Sequence, residues 1–415
     1  MSLAVTGAML DGEAVGLRAE DGLIAELGPD VEAQPGDERI DADGLLLSPP
    51  MVNGHTHAAM TLFRGFGDDM PLMEWLEKKI WPAEARLEPD DVYWGTRLAC
   101  LEMIRCGTTR FFDMYWHGAE AARAVVDSGL RAEISSVMID GLDPAKGESM
   151  RGEVIESLER IGEAGSLVAP SLGPHAIYTV SSESLAWLAE VAGQHEICLQ
   201  IHLSETEQEV KDCLEAHGKR PAAYLDELGF LGPRTLLAHG VWLDDSELEL
   251  VAERDATVVT NPAANMKLAV GGLFPYPAAA EAGVAIGLGT DGVSSNSNLD
   301  MFEEVKLLAL GQKLASGDPA TLPATDALQI ARGRRSEPLG GTPLEPGQPA
   351  DLLLLRGSDP ELSAGDLDAN LVYAAGGSVV DTTVVAGRVL MRDRVVPGAD
   401  ELVEEVRSRA SRLTS

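Results

Sequence analysis

His55 and His57 stand two residues apart in Gly54-His55-Thr56-His57. In an extended segment, positions i and i+2 share a side, so both imidazoles can grip one ion. The pair alone is a weak signal. It gains weight from its surroundings, because the chain has only eight histidines and five of them follow or end short apolar runs that read as strands: His55, His57, His175, His202 and His239. Asp291 follows a further such run, Val284–Gly289. Three imidazoles and a carboxylate, from His55, His57, His202 and Asp291, suit one Zn²⁺ or Fe²⁺ with a position left for water. The plain alternative is four unrelated buried polar residues. Residues 166–180 contain no lysine that could bridge a second ion, so one metal per chain is expected. Glu205 lies three residues past His202 and is placed to pass a proton to a substrate; its plain alternative is an N-cap carboxylate for the next helix. His239, in Ala238-His239-Gly240, is placed to orient or deprotonate a metal-bound water, or else is a core imidazole. His117, His195 and His217 read as solvated.

The elements that must position these residues alternate along the middle of the chain. Strand candidates are the segment ending at Gly54, then Thr108–Phe112, Arg131–Ile139, Leu167–Leu172, Ile197–His202, Thr235–His239, Ala256–Thr260 and Val284–Gly289. Amphipathic stretches such as Ser181–Gly193, Glu207–His217, Asp245–Arg254 and Leu299–Leu314 lie between them. Eight βα units over roughly 300 residues have the size and rhythm of a TIM barrel, whose active site forms where the C-terminal strand ends converge. Phe63-Arg64-Gly65-Phe66-Gly67 reads as a lid after the first strand. Both chain ends read as β: Leu3–Val5, Ala14–Leu17, Gly22–Leu27 and Leu45–Leu47, with turns at Asp11-Gly12 and Asp21-Gly22, and then Asp351–Leu355, Val379–Val385 and Arg388–Met391. The expected architecture is an α/β (β/α)8 TIM barrel over 49–345, with a small β-sandwich domain assembled from 1–48 and 346–415. A charged helix is expected from Ala399.

The chain's 415 residues, 45% of them hydrophobic, can fill such a barrel. A net charge of −35 repels nucleic acid and anionic membranes, so the expected partner is a small molecule, with a homo-oligomer compatible. Every apolar run is broken within about ten residues, too short to span a bilayer. Met1 to Glu13 lack a signal peptide's basic and apolar regions. Cys100, Cys106, Cys198 and Cys213 show no disulfide spacing. These features together imply a cytoplasmic location.

Ser48-Pro49-Pro50-Met51-Val52-Asn53-Gly54-His55-Thr56-His57, Ile201-His202-Leu203-Ser204-Glu205-Thr206, Ala238-His239-Gly240 and Gly289-Thr290-Asp291-Gly292-Val293-Ser294-Ser295-Asn296 resemble the motifs of the amidohydrolase superfamily. Within it they are similar to the branch of methylthioadenosine/S-adenosylhomocysteine deaminases and triazine chlorohydrolases. The likeness runs end to end and includes Gly347-Gln348-Pro349-Ala350-Asp351-Leu352. It implies a metal-dependent deaminase of adenosine-type nucleosides, with Zn²⁺ the first choice of ion and Fe²⁺ the second, that gives the inosine analogue and ammonia. In that chemistry the metal activates water, His239 and Asp291 take its proton, and Glu205 protonates the ring nitrogen. The resemblance also implies that Glu84 binds the ribose hydroxyls and that His175 contacts substrate. Ser136 falls where the similar deaminases carry an arginine, while Arg151 matches a second one. Pro49-Pro50 and Ile330–Arg335 also depart from the family's pattern.

Two other readings stand beside this one. One is a hydrolase of another aminated or chlorinated heterocycle, such as a free purine, a pterin or an s-triazine, for which a ribose clamp at Glu84 has no use. The other is a catalytically inert scaffold, against which the complete ligand set, Glu205 and His239 argue.

Overall fold

The middle of the chain turns its short apolar runs into parallel strands and its amphipathic stretches into covering helices. The computed structural model describes residues 2–415; Met1 lies outside them. The strands are Met51–His57, Thr108–Asp113, Arg131–Met138, Val168–Pro174, Leu199–Leu203, Thr235–His239, Thr257–Thr260 and Ala285–Leu288, with a short ninth piece at Asp291–Gly292. Each pairs in parallel with the next in sequence. Asp291–Gly292, separated from Ala285–Leu288 by two residues, pairs with the first strand at Thr56 and His57. The curled sheet therefore returns to its starting strand, and the architecture is TIM-barrel-like. The return needs a close approach: a Cβ on Gly289 would lie 2.7–2.8 Å from the His55 backbone. Asn53 helps to tie the join, accepting from the Thr290 N–H at 3.1 Å and donating to its Oγ1 at 2.7 Å.

Three details differ from the sequence reading. The first strand runs on through His57 rather than ending at Gly54, so the histidine pair sits on the strand itself. The eighth strand spans Ala285–Leu288 rather than Val284–Gly289, and Gly289 and Thr290 separate it from Asp291–Gly292. In the segment 63–67, Phe63 ends a short 3₁₀ helix, Ala58–Phe63, and is wholly buried, and only 64–67 form a turn. The cover over the strand ends comes from the helical segment after it, 72–84, whose middle turn Leu76–Ile80 is a π-helix.

A second, mixed sheet takes strands from both chain ends, in the order Arg388–Met391, Val380–Val385, Leu352–Arg356, Leu45–Ser48, Ser2–Leu10, Glu13–Glu20, Leu23–Gly28. Its own core includes Leu3, Val5, Leu17, Ile24, Leu352, Leu354 and Val384. Both hairpin turns place Asp-Gly at positive φ, Asp11 and Asp21 at 50° and Gly12 and Gly22 at 84°, the backbone of a tight type I′ turn. Glu38–Asp41, which the sequence reading leaves unassigned, adds a short parallel strand beside Ser2–Leu10. It buries only Ile40, so it has no apolar alternation to read. The C-terminal helix Ala399–Leu413 packs against the helix Pro89–Cys106. There Asp91 receives Arg409 at 3.1 Å and Arg412 at 2.5 Å.

All four cysteines are free. Among the described residues, no helix is long and apolar enough to cross a membrane.

Candidate metal centre and substrate cavity

The first strand's pleat sends His55 and His57 to one side, and the fifth strand brings His202 across from them. The Nε2 of His202 lies 3.2 Å from the Nε2 of His55 and 3.2 Å from that of His57. Asp291 Oδ1 lies 3.0 Å from His57 Nε2 and 3.7 Å from His55 Nε2. The Nδ1–H of His57 donates to the Met114 carbonyl at 2.5 Å, and that of His202 to the His175 carbonyl at 2.8 Å. With Nδ1 committed to the main chain, both rings turn Nε2 toward the shared centre, the arrangement by which a second layer of bonds orients metal-binding imidazoles.

His239 joins the same cluster. One ligand atom each from His55, His202, His239 and Asp291 lies within 4.8 Å of the others. The structure thus brings together all four sequence-predicted ligands and adds His239 to them. The Nδ1–H of His239 donates to Asn265 Oδ1 at 2.7 Å, and Ser295 Oγ donates to Asp291 Oδ2 at 2.6 Å. His239, Asp291 and Ser204 adopt φ of 75°, 57° and 50°. Such left-handed backbone is uncommon outside glycine and collects at functional sites.

The electrostatics match a cation site. Burial and the neighbouring imidazoles hold His55 and His202 well below the usual histidine value. Burial opposes the charge on His57, but the hydrogen bond and charge of Asp291 outweigh it and raise that imidazole to about 9. Burial also opposes the charge on Asp291, yet His57, His239 and His55 keep its carboxylate well below the usual range. A divalent ion would take the place of the His57 proton as the partner of Asp291. A buried set of imidazole nitrogens and one carboxylate, fixed from behind, fits one divalent metal, Zn²⁺.

Glu205 and His239 also approach one another, Oε1 to Nδ1 at 4.0 Å. Glu205 is buried, and that burial raises its carboxyl above the usual value. It is not the N-cap of the following helix: Thr206 fills that role, accepting from the Glu209 N–H at 3.2 Å. His175 lines the cavity, its Nδ1 2.9 Å from Thr179 Oγ1. Burial lowers it to about 4, so it is a neutral ring.

The cavity above the cluster holds about 720 Å³ including its open mouth. Glu84 stands in its wall, accepting from Tyr115 OH at 2.7 Å and from Trp116 Nε1 at 3.4 Å. Burial raises its carboxyl, with both of those donors opposing. The remaining wall is largely apolar and aromatic, with Leu72, Trp75, Ile80, Trp81, Val137 and Ile139 prominent. Among the described residues, none that lines the cavity is a lysine or arginine.

Two expectations drawn from the resemblance sit elsewhere. Arg151 is not among the lining residues; its guanidinium lies 5.0 Å over the Trp187 ring. Ser136 does not line this cavity either, because its Oγ donates to the Val154 carbonyl of the helix behind the third strand. The residue facing the cavity there is Val137. The sequence reading also missed Tyr115, Trp116, Asn265, Ser295 and the wall from Leu72 to Trp81. The cluster Leu72-Met73-Glu74-Trp75-Leu76, so soon after the histidine pair, was the available signal for that wall.

His117, His195 and His217 are exposed, as expected; His217 stacks on Tyr224 at 4.0 Å.

A profile of the amidohydrolase family matches residues 46–390. A 5′-deoxyadenosine deaminase of Methanoregula boonei is 49% identical over 378 residues, covering 90% of this chain and 86% of its own. A 5-methylthioadenosine/S-adenosylhomocysteine deaminase of Archaeoglobus fulgidus is 42% identical, covering 96% and 95%. Among solved structures, an adenosine deaminase from Xanthomonas campestris with bound zinc superposes with a TM-score of 0.91 at 32% identity, covering 99% of this chain and 98% of its own. An atrazine chlorohydrolase from Arthrobacter aurescens shares the fold, with a TM-score of 0.88 at 21% identity and full coverage of both chains. The end-to-end match, together with the histidine and aspartate cluster at the strand ends, places the chain in the amidohydrolase family.

Proposed function

We propose that this enzyme is a zinc-dependent hydrolytic deaminase of adenosine-type nucleosides: 5′-deoxyadenosine, 5′-methylthioadenosine, adenosine and S-adenosylhomocysteine. The products are the inosine analogue and ammonia. The observation that carries the reading is one cavity holding the metal cluster and Glu205 at its floor and the Tyr115-supported Glu84 in its wall. A purine needs the first pair and a ribose uses the second.

In this reading His55, His57, His202 and Asp291 hold the ion, with His239 beside it. A bound Zn²⁺ supplies a Lewis acid that makes water nucleophilic near neutral pH. His239 and Asp291 accept the proton of the attacking water. Glu205, its carboxyl raised by burial, delivers a proton to the ring nitrogen beside the carbon under attack. Glu84 accepts from the ribose hydroxyls and His175 contacts the substrate as a neutral ring. Arg151 reaches a 5′ substituent only by leaving Trp187.

The same reading divides the chain into a catalytic barrel, 49–345, and a small β-sandwich made from 1–48 and 346–415. It keeps the enzyme in the cytoplasm, with a small-molecule substrate, no nucleic acid or membrane partner, and a homo-oligomer compatible. Ammonia release from a panel of adenosine derivatives, free purines, pterins and triazines tests it. Turnover of the nucleosides, with Glu84→Gln raising KM for them, supports it. Turnover of ring-only substrates with no need for Glu84 moves the enzyme to the heterocycle class.

A further inference from the structure

Glu205 projects from a short connection between the fifth strand and the helix Glu207–His217. The residue before it, Ser204, sits at φ 50°, a conformation that L side chains resist. Among the described residues its Oγ has no hydrogen-bond partner, so the side chain does not hold this turn. The backbone is held instead. Ser204 O accepts from the Trp242 N–H at 2.8 Å. The next two amides converge on one side chain: Ser204 N–H donates to Glu209 Oε1 at 2.8 Å, and Glu205 N–H to Glu209 Oε2 at 2.9 Å. Glu209 is 5% exposed. A carboxylate in the first turn of a helix normally sits in solvent; this one is buried with each oxygen on a separate main-chain N–H.

We propose that Glu209 is a positioning residue for the proton-transfer step: it clamps the Ser204–Glu205 backbone and so aims the Glu205 carboxylate into the cavity. The inference rests on Glu205 being the proton donor. Glu209 is neither among the residues that line the cavity nor in the ligand cluster. Its two oxygens match two parallel N–H groups, a geometry that a carboxamide supplies only by half. Glu209→Gln therefore frees one of the two amides and lets the turn relax. A displacement of about 1 Å at a reacting group can cost on the order of a hundredfold in rate.

The test is kinetic. Glu209→Gln should lower kcat roughly ten- to a hundredfold while KM and a zinc content of one per chain stay at wild-type values. Combined with Glu205→Gln, it should cause no further loss of kcat, because the group it aims is already gone. A lowered melting temperature with wild-type kcat per zinc-loaded enzyme, or an additive loss in the double variant, would overturn the proposal. Should the variant fail to fold, hydrogen exchange on the wild-type enzyme decides: the Ser204 and Glu205 amides must be protected, and exchange at the rate of an open loop sinks the clamp. If Glu205→Gln alone keeps full kcat, the proton-donor reading fails and takes this one with it. If Glu205→Gln loses rate and Glu209→Gln does not, only the clamp is wrong.

Discussion

The Nδ1–H of His202 donates to the carbonyl of His175 at 2.8 Å, so the imidazole of the fifth strand is oriented by the backbone just past the fourth. Adjacent parallel strands supply ring and acceptor together, and sheet register fixes where Nε2 points. His202 Nε2 is also the atom within 3.2 Å of both His55 and His57. Elemental analysis should find one zinc per wild-type chain, and His202→Ala should abolish its binding. Two zinc ions per wild-type chain would overturn the mononuclear assignment.

Glu205→Gln separates proton transfer from metal binding. Glu205 lies outside the ligand cluster, so the variant should keep its zinc. A positioned acid is worth about 10²–10⁴-fold, and kcat should fall within that range. An unchanged kcat would assign the proton to another group.

The metal cluster was legible because its chemistry and its spacing coincide: His55, His57, His202, His239 and Asp291 all end or closely follow apolar runs of strand length. The strand ends were close for the same reason, since Thr235–His239 is all buried and reads as one apolar segment. What could not be read was side-chain direction. Ser135 and Ser136 are neighbours in sequence, yet Ser135 Oγ meets Ser171 in the barrel interior while Ser136 faces a helix. A match of motif positions does not say which face a strand residue takes, and a one-residue shift inverts it. Glu209 was hidden differently. In Glu205-Thr206-Glu207-Gln208-Glu209 it is one acid among three, and only the left-handed turn at Ser204 folds it back beneath Glu205.

Asp91 gives a pH-dependent prediction away from the active site. Burial raises its carboxyl, but Arg412, the Glu88 N–H and Arg409 outweigh that and hold it below the ordinary value of 3.8. A group depressed in the folded state contributes stability above its unfolded pKa and loses it as pH falls through the folded one. The C-terminal helix should therefore loosen below about pH 4, read as faster hydrogen exchange or proteolysis at 399–413. Asp91→Asn should already be loosened at pH 7, by roughly 1–3 kcal/mol for lost hydrogen bonds to charged partners. It should show little further change on acidification. Equal acid sensitivity in both proteins would place the responsible carboxylate elsewhere.

A net charge of −35 also makes the fold repel itself, and salt screens that repulsion beyond about 8 Å at 0.15 M. The melting temperature should rise with added KCl. A flat or falling response would mean that ion pairs such as Arg131–Asp351, at 2.7 Å, outweigh the surplus.

The substrate's 5′ end follows from the cavity wall. If adenine sits at the metal cluster and ribose at Glu84, as proposed, a 5′ substituent meets the wall of Leu72, Trp75, Ile80, Val137 and Ile139, and among the described residues no lining lysine or arginine awaits it. The lining does carry the carboxylates Glu84, Glu205 and Asp291. S-Adenosylhomocysteine ends in an amino acid whose carboxylate gains no cationic partner here, while a 5′-methyl or 5′-methylthio group gains apolar contact. A missing charge-assisted hydrogen bond costs about 1.5–3 kcal/mol, or roughly ten- to a hundredfold in affinity. 5′-Deoxyadenosine and 5′-methylthioadenosine should thus exceed S-adenosylhomocysteine in kcat/KM by about that factor. Because Ser136 faces a helix, Ser136→Arg should not narrow the gap, whereas Val137→Arg, on the cavity side, should. A higher kcat/KM for S-adenosylhomocysteine than for 5′-methylthioadenosine would mean that a cation outside the wall, Arg151 foremost, swings in to meet the carboxylate. Arg151→Ala would then remove that advantage.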